Sequence, residues 1–288
     1  MSAHSSSQRL SRRSVRRLVA ASRARMIWAP IFAPAHIARC AVALARNRLA
    51  EGSYELLDER GIQATRRGDT VFVFGAGRSI LDIGDAEFRR IAEHETVGFS
   101  TFHRRPLVRV DYHLVNEVAD PQEYARSIEA NGCYSDTIFV VQGGWLAHRG
   151  NEMVGRRLFP RGARLFRYRR IGRSSVSPPS TSFGQGLTHG ANSSFDAVNF
   201  ALLMGWRRIV LVGIDLYDRQ YFFLPEGEAT PHPSTDYGPL DRFPGSDEIV
   251  ATFRLWRSLV EPRGVELLVY NPRSLLAEAL DVFCRPEL

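Results

Sequence analysis

Three stretches of the sequence hold residues of types, and at spacings, that can do chemistry. The first is Val71-Phe72-Val73-Phe74-Gly75-Ala76-Gly77-Arg78-Ser79, an apolar run ending in Gly-x-Gly and a hydroxyl. Glycines there let backbone amides close on an anion, and a helix capped and opened by Ser79 would aim its positive end at phosphate. Ile80 stands where the dinucleotide fingerprint carries its third glycine, so an NAD site is disfavoured and an anion-binding turn is retained. The second stretch starts at Asn192-Ser193-Ser194 and follows an apolar helical pattern to Gly205. It continues through the strand Arg208–Val212 into Gly213-Ile214-Asp215-Leu216-Tyr217. Its helix start offers hydroxyls and free amides to a second anionic group, and its strand delivers Asp215 and Tyr217 to a carboxyl end. An ordinary cap and a buried, hydrogen-bonded Asp is the plainer reading. The third stretch, residues 218–246, has five prolines and three glycines and carries Tyr221, His232 and Asp236. It reads either as a lid, able to bring His232 or Asp236 to a substrate as general base, or as a surface excursion.

Positioning these residues falls to alternating elements. Short β-branched or aromatic runs predict strands at Thr70–Phe74, Thr96–Ser100, Tyr112–Val115, Thr137–Val141, Ala163–Phe166, Arg208–Val212 and Glu266–Tyr270. Helical patterns fall at about Ser79–Ala92, Pro121–Ala130, Ser194–Met204, Asp247–Val260 and Pro272–Leu280. Strands separated by helices predict an α/β, Rossmann-like fold: a mostly parallel sheet with helices on both faces, an irregular lid, and a site at the carboxyl ends of the strands.

Taken together, Gly75-x-Gly77-x-Ser79, the Ser193-Ser194 helix start, Gly213-Ile214-Asp215-Leu216-Tyr217 and a late Asn271-Pro272-Arg273-Ser274-Leu275-Leu276 occur in a telling order. They resemble the bacterial lipooligosaccharide sialyltransferases, glycosyltransferase family 42, over roughly residues 70–280. The resemblance implies metal-independent transfer of a nonulosonic sugar from a CMP donor to a cell-surface glycan or glycolipid, with the CMP-sugar as substrate and no cofactor. It implies a nucleotide-sugar site at Gly75, Ala76, Gly77, Ser79, Ser100, Asn116, Asn192, Ser193, Ser194 and Asp215. Tyr217 and Tyr221 would serve the departing phosphate. Departures from the pattern are Ala76 for an Asn, Arg78 for a Pro, Ser100 for an Asn and Val210 for a Tyr. Asp236-Tyr237 aligns with the family's lid His-Tyr, so the base is Asp236, the nearby His232, or absent. Two alternatives stay open. One is a pterin diphosphokinase-like enzyme, which would need Mg²⁺, ATP and acids such as Asp82, Asp85 and Asp215. The other is a sugar-nucleotide-binding protein without catalysis.

Composition narrows the field. All 38 basic residues are arginine, which excludes Walker-A, Schiff-base lysine and kinase lysine chemistry. Residues 1–50 hold ten arginines and no acid, so the +7 charge belongs to this arm and residues 51–288 carry −3. Leu10, Val15, Leu18 and Val19 lie near helical spacing, with Trp28 and Phe32 beyond. That arm is either a free basic extension or an amphipathic segment resting on an anionic membrane. Arginines interrupt every apolar stretch long enough for an export signal or a transmembrane helix, so the expected location is cytoplasmic, with a peripheral position on the inner membrane face open. Arginines also crowd residues 156–173, interleaved with Leu158, Phe159, Phe166 and Tyr168. The slightly acidic remainder weighs against nucleic acid, and a solvated edge strand is the simpler reading. The three cysteines, Cys40, Cys133 and Cys284, form no zinc or disulfide pattern, and His94, His103, His113, His148 and His189 show no metal spacing.

Overall fold

The computed structural model describes residues 34, 37–116, 118, 120–144, 147–172, 177–228 and 241–284. The arm pattern at Leu10–Val19 and both lid candidates, His232 and Asp236, lie outside the described residues.

Along the chain the elements are α1 (residues 37–50), β1 (Glu55–Leu57), α2 (Glu59–Gln63), β2 (Thr70–Phe74), α3 (Asp85–Ile91) and β3 (Glu95–Phe99). Then follow β4 (Tyr112–Val115), α4 (Pro121–Glu129), β5 (Ile138–Gln142), α5 (His148–Gly155), β6 (Arg164–Tyr168) and β7 (Arg170–Ile171). The last are β8 (Leu187–Thr188), α6 (Ser193–Met204), β9 (Arg208–Val212), α7 (Ser246–Val260), β10 (Glu266–Val269) and β11 (Asp281–Val282). Among the described residues nine strands form one sheet in the order β1-β6-β5-β4-β3-β2-β9-β10-β11. Every neighbouring pair in it is parallel, as the alternation of strand and helix predicts.

The pleat sends successive side chains to opposite faces, so each central strand feeds two cores. Val71, Val73, Ile209 and Leu211 pack against Phe195 of α6 and Phe253 and Trp256 of α7. Phe72, Phe74, Val210 and Val212 pack against Ile80, Phe102 and Tyr124 on the other face. Burial on both faces explains why these strands read as continuous apolar runs.

Several sequence expectations change. The helix from Ser79 is a short 3₁₀ turn, Arg78–Asp82, and α3 starts afresh after Gly84. The helix over Pro272–Leu280 reduces to a 3₁₀ turn, Leu275–Glu278. Local side chains take its backbone donors: Asn271 Oδ1 accepts from Arg273 N at 3.0 Å, and Ser274 Oγ accepts from Leu276 N at 3.1 Å. Such Asx- and Ser-turns compete with helix formation. Residues 37–50 are helical, and Cys40, Ala43, Asn47 and Ala50 form a buried face at helical spacing against the body. The Gly155 side of α5 abuts Arg46 and Asn47, leaving no room for a Cβ.

The arginine stripe is divided: Arg156, Arg157, Arg161 and Arg169 are exposed, while Arg164, Arg167 and Arg170 are partly buried. β6 is paired on both sides, by β1 and β5, so it is not an edge strand. Arg167 is largely buried, donating to Asn47 Oδ1 at 3.0 Å and Asn151 Oδ1 at 2.5 Å, and thereby ties α1 to α5. Arg164 donates to Asp136 O, Arg169 to Gly184 O and Gln185 O, and Arg170 pairs with Asp196.

Candidate functional site

β2 and β9 are neighbours, yet the chain leaves them in opposite directions, toward β3 on one side and β10 on the other. In an open parallel sheet that reversal leaves a crevice at the carboxyl ends of the strands, where ligands bind. The two turns flanking it pack backbone on backbone. Gly75 N donates to Val212 O at 2.8 Å, and Gly77 N donates to Gly213 O at 2.7 Å. A Cβ on Gly75 would lie 2.6 Å from Gly213 O, and one on Gly77 would strike the Asp215 carboxylate. The Gly-x-Gly spacing therefore answers first to the crossing of two turns.

The anion held at this turn is the chain's own Asp215. Its carboxylate accepts from Ser79 N at 3.0 Å, Ser79 Oγ at 2.6 Å and Asn271 Nδ2 at 3.1 Å, and the residue is buried. Ser274 Oγ donates to Ile214 O at 2.7 Å, and Leu275 N donates to Asp215 O at 3.0 Å. Three motifs far apart in sequence are thus knitted together around one carboxylate. This corrects the picture of Ser79 as a helix cap with donors open to ligand.

Of the residues singled out from sequence, Gly75, Ala76, Gly77, Ser100, Asn192, Ser193, Ser194, Asp215 and Tyr221 line one cleft. Ser79 sits behind Asp215, and Asn116, buried after β4, is not part of the lining. Tyr217 also stands outside it, with its hydroxyl accepting from Asn271 Nδ2 at 3.5 Å. Burial, reinforced by the charge of Asp215, pushes the Tyr217 phenol up to about 12, so it keeps its proton at neutral pH. Phe99, Thr101, Gly213, Ile214, Leu216, Asp218, Gln220 and Phe243 complete the cleft. Of these, Asp218 and Gln220 directly follow the Gly213–Tyr217 motif, and that adjacency was the signal for them.

The cleft contains both used and open donors. Asn192 caps α6, its Oδ1 accepting from Ser194 N at 3.0 Å and Ser194 Oγ at 2.5 Å. Among the described residues the Ser193 amide and hydroxyl make no hydrogen bond, so they are the helix-start donors left for an anionic guest. Tyr221 forms an isolated antiparallel bridge with Gly77, and Phe222 N donates to Ala76 O at 3.1 Å, which pins the first part of the 218–246 segment onto the glycine turn. Ser100 (φ 53) and Leu216 (φ 64) both adopt the left-handed region although neither is glycine. Both line the cleft, and non-glycine residues held there store strain that concentrates at functional sites. Asp218 is half-buried, with Oδ1 accepting from Gln220 N at 3.1 Å. Burial pushes its carboxyl up; the Gln220 amide and Arg78 oppose this, and Asp215 adds to it.

Three of the histidines are engaged with neighbouring side chains. His113 is fully buried on β4, with Nδ1 3.1 Å from Tyr134 Oη, and His103 packs on Tyr124 at a ring separation of 4.4 Å. Burial, with Arg104 beside it, pushes His103 down to about 4. His189 Nδ1 lies 2.6 Å from the buried Asp196. The acids proposed to hold a divalent metal do not converge: Asp82 pairs with Arg273 at 2.5 Å, while Asp215 is bound to Ser79 and Asn271. Among the described residues no cluster of three His, Cys, Asp or Glu side chains forms.

No protein-family model matches the chain, and no curated protein matches it. Among solved structures, the chain is similar to the sialyltransferase CstII from Campylobacter jejuni in complex with cytidine-5'-monophosphate. The identity is 15% over 75% of this chain and 86% of that one, with a TM-score of 0.46. The same enzyme in complex with the substrate analogue CMP-3FNeuAc matches at 15% identity over 75% and 87%, TM-score 0.47. The sialyltransferase CST-II in complex with trisaccharide acceptor and CMP matches at 15% over 75% and 86%, TM-score 0.45.

Proposed function

We propose that this protein is a sialyltransferase-like glycosyltransferase that moves a nonulosonic sugar from a CMP donor to a glycan or glycolipid hydroxyl. The observation that carries the reading is convergence. Gly75, Gly77, Ser193, Ser194, Gly213 and Asp215, positions from the motifs whose order resembles that family, line one cleft at the reversal point of a parallel sheet.

In this reading the acceptor oxygen forms a bond to the anomeric carbon, and the bond from that carbon to the donor phosphate breaks with its electron pair leaving on CMP. The Ser193 amide and hydroxyl and the Tyr221 hydroxyl meet the charge gathering on the phosphate, a task for preorganised donors. The acceptor proton passes to a carboxylate or imidazole. His232 and Asp236 are the candidates on the lid segment. Asp218 is the candidate already in the cleft, and its raised pKa makes it a better proton acceptor than an ordinary carboxylate. The reading requires no metal, since the Ser193 amide and hydroxyl and the Tyr221 hydroxyl supply the electrophilic side.

The test is ligand-induced stabilisation followed by turnover. CMP at about 100 times its dissociation constant should add about 2.7 kcal/mol to the unfolding free energy, while ATP with Mg²⁺ should not. Absence of stabilisation by CMP, with or without a nonulosonic sugar, sinks the reading. Stabilisation without donor cleavage would mark a binding protein instead.

A further inference from the structure

Among the described residues the outer face of α1 is unpartnered, and it has a definite chemistry. Cys40, Ala43, Asn47 and Ala50 face the body, so helical periodicity sends Ala38, Val42, Ala45 and Leu49 the opposite way. Val42 is 50% exposed and Leu49 82%, with Ile37 at 51% near the helix start. Arg48 flanks this apolar stripe on one side, and Arg39 and Arg46 flank it on the other; all three are exposed. Beside the stripe a groove runs between α1 and α5, lined by Val42 and Ala43 and by Arg39, Arg46 and Arg156, with Glu152 ion-paired to Arg156.

Charge decides what can cover this face. A second copy docked across a two-fold would set the same arginines against each other. The preceding segment of this chain carries seven further arginines and no acid, so it is repelled as well. Either of these would bring arginines against an arginine-edged face, and the surface calls for an apolar layer edged with anions. We infer that the Ala38–Val42–Ala45–Leu49 face of α1 lies on a bilayer rich in anionic lipid, with Val42 and Leu49 in the acyl boundary and the flanking arginines on the headgroups. Long arginine stems permit this, since they can keep the guanidinium at the interface while the helix sinks. The inference is independent of the transferase reading, because it uses no residue of the cleft.

The experiment is co-sedimentation of the full chain with vesicles of phosphatidylcholine alone and of equal parts phosphatidylcholine and phosphatidylglycerol. The wild type should sediment with the anionic vesicles and stay in solution with the neutral ones. Val42→Asp/Leu49→Asp, at exposed sites that leave thermal unfolding unchanged, should lower partitioning by about tenfold or more. Arg39→Gln/Arg48→Gln should cost roughly fivefold for each arginine neutralised, and added salt should reproduce that loss. Equal sedimentation of the aspartate variant and the wild type would overturn the proposal by assigning binding to another segment. So would equal binding to both vesicle types, or to neither. A lipid-free oligomer dissolved by the aspartate variant would overturn it too, by giving the face to a second copy.

Discussion

Gly77→Ala tests the claim that the glycine turn is shaped by the protein's own carboxylate. Gly77 has φ −64 and ψ 150, a conformation alanine adopts freely, so backbone strain contributes nothing. The whole effect must come from the added Cβ, which meets the Asp215 carboxylate and lies 2.8 Å from Gly213 O. Neither neighbour is a flexible side-chain tip: Asp215 is fixed by Ser79 and Asn271, and Gly213 is backbone. Overpacking of this kind costs about 1–3 kcal/mol. For a body of this size that is a fall in melting temperature of roughly 2–12 °C. Asp215→Ala should be more damaging, because it leaves the buried Ser79 amide and Asn271 side chain without their acceptor, at about 1–3 kcal/mol for each group. The decisive measurement is the double variant by urea unfolding. Removing the carboxylate makes room for most of the new methyl, so the double variant should be more stable than the sum of the singles by about 0.5–3 kcal/mol. Strict additivity, or a Gly77→Ala protein as stable as wild type, would refute the reasoning.

Arg167→Ala should cost about 2–4 kcal/mol by orphaning Asn47 and Asn151, and limited proteolysis should then cut within residues 37–50 before the body unfolds. His103 is held neutral to about 4 in the folded state but takes a proton near 6.5 when unfolded, so its contribution is complete above pH 6.5 and lost as the pH falls toward 4. Its size is about 3 kcal/mol, with buried His113 acting in the same direction, and the stability slope over that window in urea titrations should flatten in His103→Gln. Ser193→Ala should lower turnover of a CMP-sugar donor by roughly 10²-fold, measured by CMP release, with little change in unfolding temperature.

The central sheet was legible because its strands are buried on both faces. Val71-Phe72-Val73-Phe74 and Ile209-Val210-Leu211-Val212 are apolar at every position, a pattern short strands share only with buried helix segments. The edge strands were not, since Glu55–Leu57 and Asp281–Val282 are too short and too exposed to carry a pattern. The helix at 37–50 hid because its buried face is Cys, Ala, Asn and Ala, residues with little hydrophobic signal. At the site, sequence reading gathered most of the cleft lining but left open who holds whom. Ser79 and Asp215 read as ligand contacts, a buried, hydrogen-bonded Asp215 being the plainer alternative, and Asn271 carried no role of its own. Only the parallel pairing of β2 with β9, set by residues 138 positions apart, brings them together and turns them on each other.

That same pairing dictates an order of assembly on the ribosome. β2 through β6 can zip into a half-sheet as they emerge, each strand meeting the one before it. β1 must wait for β6, and β2 offers its other edge, Thr70 to Phe74, to nothing until Arg208–Val212 has been synthesised. For that interval the most apolar strand of the protein is an open template. A translational pause placed once β9 has cleared the exit tunnel would let the sheet close, whereas one placed before that would prolong the exposure. Synonymous codon changes around that point should therefore shift the yield of soluble protein without altering a single residue.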